Sequence, residues 1–138
     1  MNDTNVLAGQ VALITGGAGG IGSVTGRVLA EHGASVILTG TTEITKIQSV
    51  VDSLPGKGHL AIQASVDKKE DWQRVKQTVE ETYGTLEILM NNAGFTRFAA
   101  PEDLEGLDDE LIDKIFRINW RGPFAGVRAL QPLLEKGE

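Results

Sequence analysis

The chain has 138 residues, of which 41% are hydrophobic, and this suits one folded domain with a buried core and excludes a largely disordered chain. Its formal net charge of -6 argues against nucleic acid or an anionic membrane as the main partner. The chain has no cysteine, so disulfides and thiolate metal sites are excluded, and no metal site is predicted from the remaining residues.

Short apolar runs alternate with helical spacings along the whole chain. The first run, VALIT, is continuously apolar, which is typical of a strand buried on both faces of a parallel sheet. The predicted strands are Val11–Thr15, Ser35–Thr39, His59–Val66 and Leu86–Met90. The first predicted helix runs from the glycines after the first strand to Gly33, because Ile21, Val24, Val28 and Leu29 recur at helical spacing. Three further helices are predicted over Ile44–Leu54, over Lys69–Thr82 and from Asp108 to about Lys136.

This strand-helix alternation predicts an α/β fold of the Rossmann type. Right-handed crossovers would place helices on both faces of a doubly wound parallel sheet. We expect one domain over residues 1–138, with strand order 3-2-1-4, truncated relative to a complete Rossmann sheet.

A glycine cluster, TGGAGGIG, follows the first strand directly and opens a helix. It holds five glycines of the 17 in the chain. A glycine turn in this setting presents backbone N–H groups and a helix N-terminus to a phosphate, although a tight turn without ligand is the alternative. A P-loop is excluded because Ser23 and Val24 follow Gly22 where a lysine is required. A methyltransferase-type site would want an acid after the second strand, where LTGTT has none.

Three motifs in order resemble the short-chain dehydrogenases/reductases. They are the TGxxxGxG pattern from Thr15 to Gly22, NNAG at Asn91 to Gly94, and Asn119 in the last helix. The resemblance extends over the chain from about Leu7 and implies hydride transfer between a nicotinamide and a carbonyl or alcohol. GTT, SV and NNAGFTR, after the second, third and fourth strands, resemble 3-oxoacyl-carrier-protein reductases more narrowly.

The resemblance also assigns the binding residues. It implies a pyrophosphate over the glycine loop, adenine near Ser65 and Val66, and adenosine ribose beside NNAG. Many family members have Asp where Ser65 stands, so that contact is altered here. The predicted cofactor-binding residues are Gly16, Gly17, Gly20, Ile21, Gly22, Thr41, Ser65, Val66, Asn92, Ala93 and Gly94.

The end of the second strand indicates which cofactor is preferred. An acid there would bind the ribose hydroxyls and repel a 2′-phosphate, but Gly40 and Thr41 occupy the position. The hydroxyls of Thr41 and Thr42 are suited to a phosphate or, alternatively, to helix capping. We therefore expect NADP(H), with NAD(H) as the alternative, although the family's usual arginine is absent.

Asn119 is predicted to continue a buried stripe formed by Leu111, Ile112, Ile115 and Phe116. Pro123 has no N–H, so the Asn119 carbonyl loses its helical donor and the helix should kink. The resemblance implies that this asparagine's main chain holds a water in the proton relay behind the catalytic lysine, which makes Asn119 the one catalytic candidate. A kink that serves packing alone is the alternative.

The family's catalytic Ser and Tyr-x-x-x-Lys do not occur among these 138 residues. The single tyrosine, Tyr83, precedes NNAG and is followed by Gly-Thr-Leu-Glu rather than by a lysine. We expect this chain to be the cofactor-binding part of a carbonyl reductase. It would be a fragment of an active enzyme, a natural truncation without catalysis, or one chain of an enzyme that a second chain completes. A non-catalytic nucleotide-binding or interaction module is the competing interpretation.

Location and assembly are inferred from the same features. The polar start has no signal-peptide pattern and no apolar run reaches membrane-spanning length, so a cytoplasmic protein without membrane insertion is expected. Family members are commonly dimers or tetramers built partly on the Asn119 helix. Trp120, Phe124, Val127 and Leu130 give this helix extra apolar surface, so a homo-oligomer is expected.

Overall fold

A computed structural model describes residues 5–137 as four strands and five α-helices. The strands are β1 (Val11–Thr15), β2 (Ser35–Gly40), β3 (Leu60–Gln63) and β4 (Ile88–Met90). The α-helices are α1 (Gly20–Glu31), α2 (Ile44–Asp52), α3 (Lys69–Thr82), α4 (Asp109–Phe116) and α5 (Gly122–Leu134). A π-helical turn, Arg117–Arg121, joins α4 to α5, and short 3₁₀ turns cover Leu104–Gly106 and Glu135–Gly137.

The four strands form one parallel sheet in the order β3-β2-β1-β4, as predicted. Thr15 at the end of β1 pairs with Thr39 in β2, and Ile14 pairs with Met90 in β4. The carboxyl ends of the strands therefore meet at one edge of the sheet. β3 and β4 are shorter than predicted, because pairing stops at Gln63 and starts only at Ile88.

Alternate side chains of the sheet point into two separate hydrophobic cores, one on each face. Leu13 and Ile37 point to one face, where α3 and α5 cover them with Trp72, Val75, Val79, Leu130 and Leu133. Ile14, Val36 and Leu38 point to the opposite face, where α1 and α2 supply Ala30, Ile47 and Val51. Helices thus lie on both faces of a doubly wound α/β sheet, and the Rossmann-type fold is confirmed.

Helix α1 buries a different face from the one that its apolar spacing indicates. Ile21 and Val24 are 72% and 61% exposed, whereas Gly22, Gly26 and Ala30 are buried. A Cβ on Gly26 would lie 3.1 Å from the Leu38 side chain. The helix packs so close to the sheet that only very small residues fit between them, and a hydropathy pattern does not register such residues as core.

The predicted last helix is interrupted where Asn119 and Pro123 suggested an irregularity. The amide of Gly122 bonds to the carbonyl of Arg117, five residues back, which defines the π turn. Each π turn adds a residue and rotates the helix beyond it to a new facing. The buried-stripe prediction is wrong: Leu111 is buried, but Ile112 and Phe116, which precede the π turn, and Asn119 within it are exposed.

Beyond the π turn, α5 places Gly122, Gly126, Leu130 and Leu133 inward. Trp120, Phe124 and Val127 are exposed, so Leu130 does not belong to the outer apolar surface predicted for this helix. Within residues 5–137, no helix combines the length and the apolar character needed to cross a membrane.

Candidate dinucleotide site

An open cleft of ≈ 1060 Å³ lies along the carboxyl ends of the strands. In doubly wound sheets this edge is where ligands bind. Nine of the eleven predicted cofactor-binding residues line the cleft; Gly17 and Gly22 do not, and neither does Asn119. The lining nine are Gly16, Gly20, Ile21, Thr41, Ser65, Val66, Asn92, Ala93 and Gly94.

Some glycines of the loop are required by backbone conformation or close packing, whereas Gly20 faces the open cleft. Gly16 has a φ of 65°, a left-handed conformation that favours glycine. A Cβ on Gly17 would lie 2.7 Å from the Leu38 side chain, and one on Gly22 would collide with the Gly16 carbonyl oxygen. A Cβ on Gly20 would meet nothing within 4 Å, so this residue faces the open cleft at the start of α1.

Thr15 and Asn92 tie the glycine loop to the NNAG segment. Thr15 Oγ1 accepts the backbone N–H groups of Asn92 and Ala93, both at 3.0 Å. The Asn92 side-chain amide donates to the carbonyls of Thr15 at 3.0 Å and Gly16 at 3.2 Å. The amide of Asn92 therefore holds the loop in shape as well as bordering the cleft.

Asn119 clamps the segment that follows NNAG. Its Oδ1 accepts the Phe95 N–H at 2.7 Å, and its Nδ2 donates to the Phe95 carbonyl at 2.8 Å. The two bonds satisfy the side-chain amide although it is exposed. In this structure the side chain of Asn119 positions Phe95, a residue that lines the cleft.

At the β3 end of the cleft, Ser65 belongs to a chain of polar contacts. Its Oγ donates to Asp67 Oδ1 at 2.5 Å, and Asp67 Oδ2 accepts from Arg117 Nε at 3.0 Å. The Ser65 N–H donates to Asp71 Oδ2 at 2.8 Å. The Ser65 hydroxyl first, and then the Arg117 guanidinium, lower the pKa of Asp67 against the opposing effect of burial.

Sequence reasoning did not identify Asp67 and Arg117. They are 50 residues apart, and no local pattern links them. Polar residues flank Val66 on both sides, but we placed Ser65 at the end of the third predicted strand and gave Asp67 no role.

At the β2 end, a lysine that the sequence analysis also missed borders the cleft. Lys46, in the first turn of α2, lines the cleft with Gly40, Thr41 and Thr42. The N-cap of α2 is Glu43, and no side chain caps it, so the capping role for Thr41 or Thr42 is not observed.

The charge of the cleft is opposite to that of the chain as a whole. Lys46, Lys68 and Lys114 line it, and the one acid among the lining residues, Asp67, is paired with Arg117. The Lys114 ammonium also lies 4.2 Å from the centre of the Phe95 ring. A positive lining with a glycine loop at its centre suits an anionic ligand.

Tyr83 lies away from this cleft. Its hydroxyl donates to the carbonyl of Gly58 at 2.7 Å, near the start of β3 and hence at the opposite edge of the sheet. Burial raises the pKa of its phenol. Both features are those of a structural tyrosine and unlike those of a proton donor in the cleft.

The fold and the cleft are those of a Rossmann-type nucleotide-binding domain. The family model described as short chain dehydrogenase matches residues 10–138, and the chain belongs to this family, whose members bind NAD(P)(H).

Two curated relatives illustrate the range of lengths. The "(-)-isopiperitenol/(-)-carveol dehydrogenase, mitochondrial" of Mentha piperita is 33% identical over 138 residues, which are 99% of this chain and 52% of that protein. The short-chain dehydrogenase/reductase homolog YusS of Bacillus subtilis (strain 168) is 37% identical over 109 residues, covering 78% of this chain and 99% of YusS. The chain thus spans about half the length of the first relative and matches YusS almost completely.

Two solved structures share the fold closely. The RhlG/NADP active-site complex of Pseudomonas aeruginosa matches with a TM-score of 0.84 at 28% identity, over 99% of this chain and 52% of that one. The 3-ketoacyl-(acyl-carrier-protein) reductase of Brucella melitensis complexed with NADH matches with a TM-score of 0.84 at 30% identity, over 94% and 52% respectively. The two similar chains were solved with different nicotinamide cofactors.

Proposed function

We propose that this chain is the cofactor-binding part of an NAD(P)(H)-dependent oxidoreductase that reduces a carbonyl substrate. The observation that carries the proposal is the glycine loop, held by Thr15 and Asn92, with Gly20 open to a positively lined cleft. Backbone N–H groups at a helix N-terminus are suited to bind a pyrophosphate there. When bound, the reduced nicotinamide would supply the hydride.

A 3-oxoacyl thioester is the proposed substrate class. It rests on the GTT, SV and NNAGFTR segments together with the likeness to the Brucella melitensis reductase. Asn119 would contribute by holding Phe95, and its main chain would contribute to a proton relay as the family resemblance implies.

The 138 residues by themselves are expected to bind cofactor without turnover. A general acid contributes about 10²–10⁴-fold to the rate, and the only tyrosine is committed to Gly58. NADPH oxidation with a diketone or a 3-oxoacyl thioester tests this, using protein whose mass matches 138 residues. Turnover within tenfold of ordinary reductases would contradict it.

A non-catalytic nucleotide-binding module is the second candidate. The observation that favours it is the match to YusS, because the matched region makes up 99% of the length of YusS. The two functions share cofactor binding and differ in turnover. The sequence encoded after Glu138 separates them, since Ser followed by Tyr-x-x-x-Lys favours the enzyme and a stop codon favours the module.

Gly20→Asp tests phosphate binding without disturbing the fold. A side chain at position 20 has open space, and an acid in the first turn of a helix is favourable, so stability should be retained. The carboxylate should repel the pyrophosphate and weaken NADPH or NADH binding by about tenfold or more. Fluorescence titration measures the affinity, and thermal melting checks the fold.

Gly20→Ala is the matched control, because it adds a Cβ at the same position without charge. It should melt like the original chain and keep most of the affinity. If Gly20→Asp is folded and binds as tightly as Gly20→Ala, the glycine loop is a plain structural turn.

We favour NADP(H) because no carboxylate stands at the end of β2 and Lys46 borders the cleft there. Lys46→Gln is expected to weaken NADPH binding by about twofold to fivefold and to leave NADH binding unchanged, since only NADPH carries a 2′-phosphate. The cleanest readout is the ratio of the two dissociation constants at low salt. Lys76→Gln, on a lysine outside the cleft lining, is the control; an equal loss for both cofactors would contradict this role.

We also propose self-association through the exposed apolar side chains of Trp120, Phe124 and Val127. Light scattering at tens of micromolar tests it, and a monomer at that concentration would count against it. A cytoplasmic location remains the proposal from the sequence.

A further inference from the structure

The chain has two histidines, and their side chains make opposite kinds of contact. His32, at the end of α1, bonds through Nδ1 to the carbonyl of Val28 at 2.8 Å. A carbonyl only accepts, so this nitrogen carries a proton. A second proton, on the other ring nitrogen, therefore leaves the contact of His32 in place.

His59, the residue before β3, has both ring nitrogens assigned by their partners. Its Nδ1 lies 3.0 Å from the backbone nitrogen of Val36, and an N–H only donates, so Nδ1 accepts. Its Nε2 lies 2.8 Å from the carbonyl oxygen of Pro55, so Nε2 carries the proton. The two contacts together require the neutral imidazole in a single tautomer.

The imidazole takes the place of a strand partner for Val36. The pairing of β2 with β3 begins at Ile37 and Leu60, so Val36 lies just before the ladder. The carbonyl of Gly58 accepts the hydroxyl of Tyr83 at 2.7 Å, in a turn where Gly58 has a left-handed φ of 81°. Since Val36 is 0% exposed, water cannot replace the imidazole at its N–H.

We propose that His59 is an acid-sensitive switch for the start of the β2–β3 pairing. Protonation places an N–H on Nδ1 opposite the N–H of Val36, so two donors face each other and the contact is lost. The buried Val36 amide then lacks an acceptor, and this is unfavourable unless the start of the strand opens to water. The contact lies at the edge of the sheet opposite the cleft, so the inference does not depend on the proposed function.

The elements around His59 do not compensate for the lost contact. The ends of α1, α2 and α3 and the loop before His59 all lead into this edge of the sheet. Among the residues that the structure describes, none of their titratable groups lies within hydrogen-bonding or ion-pairing distance of the imidazole. These groups are Glu31, His32, Asp52, Lys57, Glu80, Glu81 and Tyr83.

The direction of the pH effect follows from where the proton is bound. The unfolded chain protonates His59 without losing a contact, in the ordinary range of histidine at about pH 6.5. The folded chain loses the Val36 contact when it does so, and the unfolded state therefore binds more protons in this range. Stability is retained above the range and falls as the pH is lowered through it.

His59→Asn separates the acceptor from the titration. Its Oδ1 can accept from the Val36 N–H near the position of Nδ1, and an amide is not protonated in this range. Between about pH 7.5 and about pH 5.5, the unfolding equilibrium constant should rise about fivefold to tenfold more in the original chain than in His59→Asn. Urea unfolding of the 138-residue chain at both pH values measures this. His32→Asn is the matched control and should keep the pH response of the original chain.

Nuclear magnetic resonance tests the same contact without a variant. In the original chain at neutral pH, the ring nitrogens of His59 should show a proton on Nε2 and none on Nδ1. On lowering the pH, the protection factor of the Val36 amide against hydrogen exchange should fall by about fivefold relative to that of Leu38, which lies further along β2.

The outcomes decide the inference separately from dinucleotide binding, which neither experiment uses. An equal pH response in the original chain and in folded His59→Asn overturns the inference. If His59→Asn does not fold, a proton on Nδ1 of His59 at neutral pH, or a Val36 protection factor that does not change relative to Leu38, overturns it instead.

Discussion

Gly22→Ala is expected to lower the free energy of unfolding by about 2–3 kcal/mol, the upper part of the usual range for overpacking. The new Cβ would collide with the Gly16 carbonyl oxygen and lie 2.9 Å from the Asn92 amide nitrogen. Neither neighbour can retreat easily, because Asn92 is bonded to the carbonyls of Thr15 and Gly16. Urea unfolding measures the loss.

The same substitution should weaken dinucleotide binding by about tenfold or more, although Gly22 does not line the cleft. Relief of the collision requires the Gly16 carbonyl to move, and the amides of the loop move with it. Gly20→Ala, two residues earlier, is the control for inserting a methyl group into this loop. If Gly22→Ala unfolds at the same urea concentration as Gly20→Ala, the close packing inferred at Gly22 is wrong.

The positions of the strands and of the glycine turn could be predicted because their signals are local. The first strand is continuously apolar, and the turn after it concentrates glycine within a few residues. The same reasoning failed for the buried face of α1, where Gly26 packs closely against the sheet, Gly22 packs against the glycine loop, and the larger Ile21 is exposed. Hydrophobic periodicity registers only apolar side chains, so a glycine on the buried face of a helix is not recognised as part of the core.

The last helix shows a second reason for failure. Helical spacing was extrapolated from Leu111 to Asn119, but α4 already exposes Ile112 and Phe116 before the π turn, and Asn119 lies within that turn. Pro123 indicated that an irregularity was needed, but a proline does not specify a π turn rather than a bend. Asn119 was therefore predicted on the right element and assigned the wrong environment.

The polar contacts that join distant segments had no signal in the sequence. Arg117 meets Asp67 only because the π turn lies beside the end of β3. Lys46 borders the cleft because α2 begins directly after β2, and its position could have been noticed from helix geometry. Charged pairs on separate elements have no such local rule.

Thr15→Val is expected to destabilise the junction between the glycine loop and NNAG. The side chain keeps its shape but loses the oxygen that accepts from Asn92 N and Ala93 N. Asn92 N also bonds to the Met90 carbonyl at 3.0 Å, so Ala93 N is the group left without a partner. An unsatisfied N–H of this kind costs about 2 kcal/mol, and Thr15 is only 1% exposed, so water cannot replace its hydroxyl.

Thr15→Ser separates the hydroxyl from the methyl group at this position. It keeps the acceptor and should retain the protection of the Ala93 amide against hydrogen exchange, with a smaller loss of stability from the missing methyl. Thr15→Val should lose that protection and bind dinucleotide more weakly, since Ala93 lines the cleft. The assignment fails if Thr15→Val keeps both the stability and the Ala93 protection of the original chain, because the hydroxyl would then not be what holds NNAG against β1.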